Sequence, residues 1–145
     1  MKDSNPVDLN QPDYVKLMSF IKMETQFVAT LGHYHPNRYM KPIPQHTRSM
    51  CKGDIHELVY VLETDDGKID FSDAWYLGFI EFKNGGVLAT EMAVLWGSQL
   101  IGKVVGFDGN HYPNHYNLLI ASKTPKIGPE MGIKLNDPCT FCTLK

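Results

Sequence analysis

Short apolar runs separated by turn residues are the feature of this sequence that most constrains its fold. Apolar runs occupy residues 55–62, 74–82, 101–105 and 118–121, and the first two are rich in β-branched and aromatic residues. Turn residues separate these runs, as at residues 64–68, where an Asp-Gly step can adopt positive φ. Runs of this length and composition are typical of β-strands, so the sequence predicts an all-β or β-dominated fold.

Glycines inside the predicted strands favour a small β-barrel over a sandwich, because the strands of a barrel have to bend. Gly78 interrupts the strongest strand pattern and predicts a bulge or the close approach of another backbone. A further strand is expected from about Met23 to Leu31, and residues 92–107 are expected to form a hairpin that turns at Gly97.

The N-terminal region differs from the rest of the chain. Residues 1–12 are polar and contain two prolines, and we expect them to form a flexible arm. Apolar residues at helical spacing in residues 13–22 allow one short helix at the start of the domain. The expected organisation is therefore the arm followed by a single barrel-like domain over residues 13–145, a size that can bury a real core.

Charge and hydropathy exclude several classes of partner. The formal net charge is -2, and the lysines and arginines are scattered without a basic stripe, so we expect no nucleic-acid partner. No apolar stretch approaches the length of a membrane span, and the N-terminus is too polar for a signal peptide, so a cytoplasmic protein is expected. A small-molecule ligand remains as the expected partner. A barrel with open rims and several aromatic residues also allows a homo-oligomer.

One motif concentrates the chemistry of the chain. Residues 106–117 lie between two predicted strands and contain the titratable residues Asp108, His111 and His115. A histidine titrates near neutral pH and can act as a general acid or base, and an aspartate bonded to one ring nitrogen would fix the tautomer of the other. The motif therefore predicts a small-molecule enzyme of the isomerase, lyase or hydrolase type, acting on a polar carbonyl or carboxylate substrate.

Residues elsewhere in the sequence extend this hypothesis. His56 and Glu57 begin a predicted strand and are further catalytic candidates, and they lie on opposite faces if the strand is regular. An arginine can bind an anionic substrate in bidentate fashion. The expected substrate-binding residues are Arg38, Arg48, Asn114, Asn117 and Tyr116.

Two other interpretations of the motif stay open. We expect no cofactor, but His111 and His115 together with His56 or Glu57 could hold a divalent metal in a three-His or two-His-one-carboxylate site. Pro113 argues against a helix, so the spacing of the two motif histidines proves little by itself. The polar residues could instead cap backbone groups in a non-catalytic, ligand-binding or accessory protein.

Two further patterns carry less weight. His33 and His35 have the spacing of metal ligands on an extended chain, but the surrounding Pro and Asn favour a solvated turn. Cys139 and Cys142 form a CxxC pair close to the C-terminus. No second pair accompanies them, so a role as small apolar residues is favoured over a metal or redox site.

The chain resembles an uncharacterised bacterial domain family. The most specific similarity is the pattern Gly-Phe-Asp-x-x-His-x-Pro-Asn-His-x-Asn over residues 106–117. Weaker similarities include Gly53-x-x-His56-Glu57-Leu58 and Leu77-Gly78-Phe79-x-Glu81, and the resemblance spans about residues 23–133. It implies a shared scaffold and a shared site, without an established activity.

Overall fold

The computed structural model describes residues 22–111 and 114–143. The predicted arm and residues 13–21 of the predicted helix lie outside the described residues. The strands, in chain order, are β1 (Met23–Thr30), β2 (Tyr34–His35), β3 (Thr47–Met50), β4 (Ile55–Glu63), β5 (Ile69–Phe82), β6 (Gly86–Ala89), β7 (Ala93–Trp96), β8 (Gln99–Asp108), β9 (Asn117–Ser122) and β10 (Pro138–Cys142). A four-residue helix, α1 (Gly128–Met131), precedes β10.

Seven strands close into a β-barrel, as the sequence predicts. The order around the sheet is β1-β10-β7-β8-β9-β4-β5, and pairing of β5 with β1 completes the ring. All neighbours in this ring are antiparallel except β4 and β9, which run parallel. β2 pairs with one end of β5, and β3 and β6 form a separate two-stranded sheet.

The strands that the sequence predicts are confirmed, with some changes in their limits. β5 begins at Ile69, five residues before the predicted start, and pairs directly with β4 across the predicted turn. The predicted hairpin is formed by β7 and β8. The short helix lies in a region expected to be a Pro/Gly loop, where Pro129 occupies its first turn and Gly132 ends it with a φ of 86°. In the described part of the chain, no helix has the length and hydrophobicity to cross a membrane.

Alternate residues of β4 pack into two different hydrophobic clusters. Leu58 and Tyr60 belong to the cluster inside the barrel, together with phenylalanines from β1, β5, β8 and β10. Val59 and Val61 belong to a second cluster on the outer face of the wall, where Met40 packs against them. Each fully buried side chain of this size contributes roughly 1.5–3 kcal/mol to stability, so both faces of β4 are fixed in place.

A segment that crosses the barrel wall covers this second cluster. We call residues 39–43 the crossing segment. The N–H of Met40 donates to the carbonyl of Phe71 at 2.8 Å, and the N–H of Ile43 donates to the carbonyl of Phe107 at 2.8 Å. The crossing segment therefore bridges β5 and β8, and it lies beside the polar side chain of Asp108.

Gly78 allows the barrel to close. A Cβ at this position would lie 2.2 Å from the carbonyl oxygen of Ala29, which belongs to the paired strand β1. The register between β4 and β5 also shifts at this point, beside Leu58 and Val59. Both the bulge and the close backbone approach predicted for Gly78 are confirmed.

We predict that Gly78→Ala lowers the free energy of unfolding by about 3 kcal/mol or more, because the new methyl group meets a backbone atom that cannot turn aside. Denaturant unfolding of both proteins measures the difference. Gly109→Ala is the matched control, since its Cβ would lie 3.4 Å from the Tyr116 ring, an ordinary contact. Equal stability of the two variants would contradict this explanation of barrel closure.

Candidate functional site

The site begins with a row of four side chains on the outer face of the barrel wall. Asp108 of β8 pairs with Asn117 of β9, Asn117 pairs with Glu57 of β4, and Glu57 pairs with Phe79 of β5. Residues paired across neighbouring strands point to the same face of a sheet, so the four side chains share the face that carries Val59. Three of the four are polar, and Asp108 and Asn117 are fully buried.

His111 and His115 approach this row from the connection between β8 and β9. The N–H of His115 donates to the carbonyl of His111 at 3.2 Å, which makes a single α-turn. The turn places the two imidazoles on one side, with ring centroids 4.9 Å apart and planes inclined by 23°. One turn of this kind brings the two histidines at i and i+4 together without a longer helix.

Glu57 meets both histidines. Its Oε1 lies 3.3 Å from Nε2 of His115, and both side chains are buried. One donor atom each from Glu57, His111 and His115 lies within 4.8 Å of the other two. We call these three residues the His-Glu cluster.

Contacts around His115 hold its ring in place. The Asn114 amide nitrogen lies 2.9 Å from Nδ1, and the ring of Phe79 packs edge-on at a centroid distance of 4.9 Å. If the amide donates to Nδ1, the neutral ring carries its proton on Nε2, where it faces Glu57. His111 is exposed to solvent, so the cluster has one open side.

Burial shifts the buried pair towards its uncharged forms. Desolvation raises the pKa of Glu57, against the opposing effect of positive charge at His111, His33 and Arg38. Desolvation also lowers the pKa of His115. The raised pKa of the carboxyl and the lowered pKa of the imidazole bring their proton affinities closer together, which is typical of acid–base and ligand sites.

Asp108 does not form the predicted pair with a histidine. Its Oδ2 accepts the N–H of Lys41 in the crossing segment at 3.1 Å, and its Oδ1 accepts the N–H of Asn110 at 2.8 Å. Because side chains alternate along β8, the Asp108 carboxylate lies in the row of outer-face side chains, and two backbone N–H groups donate to it there. The connection between β8 and β9, residues 109–116, is called the histidine loop. Asp108 therefore holds the crossing segment and the start of this loop, and Glu57 is the carboxylate beside the histidines.

His56 lies on the opposite face of β4 from Glu57, and it is outside the His-Glu cluster. Its Nδ1 accepts the N–H of Tyr116 at 2.9 Å, and its ring contacts Phe82 edge-on. Burial lowers the pKa of His56, and positive charge at Arg48 and His115 adds to this effect against the opposing charge of Asp54. Of the three histidines predicted as metal ligands, the structure groups His111 and His115 with Glu57.

The two predicted substrate arginines have different surroundings. Both terminal nitrogens of Arg38 donate to the Asn110 side-chain oxygen, at 3.1 and 3.2 Å, when that amide is turned towards the guanidinium. Arg38 also lies beside Tyr76. Burial raises the pKa of Tyr76, and the Arg38 guanidinium partly opposes this shift. Arg48 instead stacks on the ring of Tyr116, with its guanidinium carbon 3.9 Å from the ring centroid.

Asn117 is enclosed in the wall beneath the histidine loop. Neither its Nδ2 nor its Oδ1 has a hydrogen-bond partner among the described residues. A buried amide without partners costs free energy, so packing alone does not explain an asparagine at this position.

His33 and His35 do not act as a pair. His33 stacks on Tyr76 with centroids 4.3 Å apart, which places it at the edge of the outer face, whereas His35 is exposed beside the carbonyl of Pro36. Cys139 is fully buried and Cys142 only partly, and burial raises the pKa of the Cys139 thiol to about 12. Cys139 is therefore held in its unreactive thiol form.

Three residues at the site, Tyr76, Phe79 and Asn110, are not distinguished by the sequence as site residues. Phe79 lies in one of the weaker motifs, and Asn110 lies inside the main motif without a charge that would draw attention to it. Tyr76 was counted as an apolar residue of a strand. Only the register of β4 and β5 places the first two beside Val59 and Glu57.

The model of DUF6917, a family of unknown function, matches residues 19–142 of the chain, which is most of its length. No curated protein and no solved structure matches the chain.

We predict that Asp108→Asn lowers the free energy of unfolding by about 1–3 kcal/mol, because one of two backbone N–H groups then faces an amide donor. The measurement is denaturant unfolding in the presence of a chelator. Asp73→Asn serves as the control, since Asp73 accepts the N–H of Asn37 and the Tyr34 hydroxyl at an exposed position. A larger loss in the control than in Asp108→Asn would contradict the role of Asp108 as a clamp.

We predict that Glu57→Gln is more stable than the wild type at about pH 8 and that this advantage shrinks towards about pH 4. The raised pKa of Glu57 means that the folded state binds its proton more tightly than the unfolded state. Ionisation of Glu57 therefore lowers the stability of the wild type increasingly as the pH rises from the unfolded pKa through the folded one. The Glu57→Gln variant does not lose stability in this way.

Melting temperatures of the metal-free proteins across this range provide the measurement. The lowered pKa of His115 makes both proteins lose stability as the pH falls below about 6.5, so the difference between them isolates Glu57. A wild type that is the more stable protein at about pH 8 would reverse the predicted sign.

Proposed function

Because the chain belongs to DUF6917, a family without a known function, we propose from its site that the protein is a metal-dependent enzyme acting on a small molecule. The His-Glu cluster would bind a divalent transition metal through two imidazoles and one carboxylate. The observation that carries the proposal is the convergence of these three donor atoms within 4.8 Å of one another.

The distances fit such an ion after a small closure. Ligands about 2.0–2.1 Å from a tetrahedral metal lie roughly 3.3 Å from each other, the separation already present between Glu57 and His115. The third donor, from His111, has to move by at most about 1.5 Å to reach the same spacing. His111 is the exposed member of the cluster and is carried by a turn, so this movement costs little packing.

The surroundings of His115 supply the orienting contact that metal-bound histidines use. A metal on Nε2 leaves the ring proton on Nδ1, which then needs an acceptor. The Asn114 amide lies at that nitrogen, and a half-turn of its side chain offers the oxygen in place of the nitrogen. The lowered pKa of His115 also keeps the ring unprotonated at neutral pH, as a metal ligand has to be.

Three protein ligands would leave coordination positions for water or substrate. Two imidazoles and one carboxylate make a donor set used by catalytic zinc and by non-haem iron(II). A divalent ion combined with the single charge of Glu57 leaves a net positive centre. Such a centre polarises a bound oxygen, either of a substrate carbonyl or of an attacking water.

The alternative function is metal-free acid–base catalysis by Glu57 and His115. It is favoured by the direct contact of the two side chains and by pKa shifts that bring their proton affinities together. In that case Glu57 would accept a proton from one substrate atom, and protonated His115 would donate one to another; a proton passed from Glu57 to His115 across their contact would then restore the starting state. His111 would then have no required role, and this difference separates the two functions.

We predict that the wild-type protein binds one zinc ion and that His111→Ala, His115→Ala and Glu57→Gln each weaken zinc binding by at least about 100-fold. Isothermal titration calorimetry on chelator-treated protein measures the affinity and stoichiometry. Cobalt(II) absorption in the same proteins reports the coordination geometry. Asn114→Ala should weaken zinc binding by about 10–100-fold, as expected for an orienting contact.

His35→Ala is the matched control, because His35 is an exposed histidine outside the cluster. It should leave zinc binding unchanged. Zinc affinity that survives all three cluster substitutions, or no stoichiometric binding by the wild type, would remove the metal-dependent function. A coupled titration of Glu57 and His115 in metal-free protein, followed by NMR, would then support the acid–base alternative.

A further inference from the structure

We propose that the cavity beside the His-Glu cluster binds the carboxylate of a small organic acid, with Arg48 as the residue that binds it. The inference rests on the proposed function, since it names the substrate class for that site. It concerns the inner side of the barrel rim, whereas the proposed metal ligand Glu57 belongs to the outer face.

A cavity of about 510 Å³ is lined by residues from both faces of the wall, among them His56 and Phe79. His115, Phe79 and Asn114 of the candidate metal site contribute to its wall. The remaining wall comes from the start of β4, the end of the histidine loop and Arg48 of β3. A volume in this range is typical of cavities that enclose a small organic ligand.

Arg48 is the cationic group of this cavity. Its guanidinium is half-buried and stacks on Tyr116, and among the described residues no carboxylate forms a salt bridge with it. Its Nε also lacks a hydrogen-bond partner there. Arg38, in contrast, is already engaged by Asn110 and Tyr76. An arginine held on an aromatic ring with its fork free is a typical carboxylate site.

His56 adds a hydrogen-bond donor to the same cavity. Its Nδ1 accepts the Tyr116 N–H, so the neutral ring carries its proton on Nε2. Asp54 is the acidic residue of the wall, and its Oδ2 is bound by the N–H of Cys51 at 2.8 Å. Arg48 and the Nε2–H of His56 are donors that this cavity offers to an anion, and Asp54 contributes one negative charge to its wall.

The apolar part of the wall favours an organic acid over an inorganic anion. Ile55 and Phe79 line the cavity together with the Tyr116 ring, and they offer surface to a carbon skeleton. Arg48 and the proposed metal ligand His115 line the same cavity, so an acid bound at Arg48 would lie beside the candidate metal site. Inorganic phosphate could match the guanidinium fork but would leave this apolar surface uncovered.

The test is a binding titration with simple acids and their neutral analogues. Benzoate, phenylacetate and succinate are titrated into zinc-loaded and into metal-free protein, each beside its amide, and chemical-shift changes give the dissociation constants. We expect the acids to bind and the amides to bind at least about tenfold more weakly. Arg48→Gln should weaken acid binding by at least about tenfold in both forms of the protein, and Arg48→Lys by less, since it keeps the charge but loses the fork.

Lys52→Gln is the matched control, because it removes one positive charge from an exposed residue that does not line the cavity. It should leave acid binding unchanged. Zinc binding by Arg48→Gln, measured in parallel, checks that this variant is folded and that its metal site is intact.

The possible outcomes separate the two proposals. If none of the acids binds the wild type, if amides bind as tightly as acids, or if Arg48→Gln binds acids as tightly as the wild type, the inference is overturned and the metal proposal is untouched. Phosphate that binds more tightly than all three acids also overturns it. Acid binding that depends on Arg48 supports the inference even if the protein does not bind zinc. The small organic acid would then be the substrate class of the acid–base alternative.

Discussion

The parallel pairing of β4 with β9 is the constraint on which the site depends. It sets Glu57 opposite Asn117, and β8 and β5 extend the same row to Asp108 and Phe79. The N–H of Glu57 donates to the carbonyl of Tyr116 at 3.0 Å, which fixes the chain just after His115. The carboxylate and the histidine, 58 residues apart, therefore meet because backbone hydrogen bonds align their strands and not because their side chains attract each other.

The histidine loop is then held from both ends. Asp108 binds its start and ties it to the crossing segment, and the pairing of β9 fixes its end. Between these points a single α-turn presents His111 and His115 together. The rigid parts of the site thus come from the barrel wall, and the adjustable part is one exposed imidazole, an arrangement that suits a site in which a ligand has to enter.

The sequence is sufficient to predict the barrel and most of its strands, because alternation and turn residues are local properties. Asp-Gly after β4 and the glycines before β6 mark their turns directly. The parallel β4–β9 pair is beyond such reasoning, because its partners are brought together by the closure of the whole ring.

The same difference between local and long-range information explains the site. Asp108 lies near the histidines in sequence, but strand alternation turns it into the wall, whereas Glu57 reaches them only through the register. The short helix was missed because four residues are too few to show a helical period.

His56 and Glu57 are neighbours in sequence that serve opposite sides of one strand. Glu57 faces the histidines, whereas His56 faces the barrel rim and the cavity. A strand repeats every two residues, so the insertion or deletion of one residue at the start of β4 would exchange the carboxylate and the imidazole between these sides. An insertion or deletion at this point would therefore disrupt the site, because one residue of length decides which face of the wall carries the acid and which carries the base.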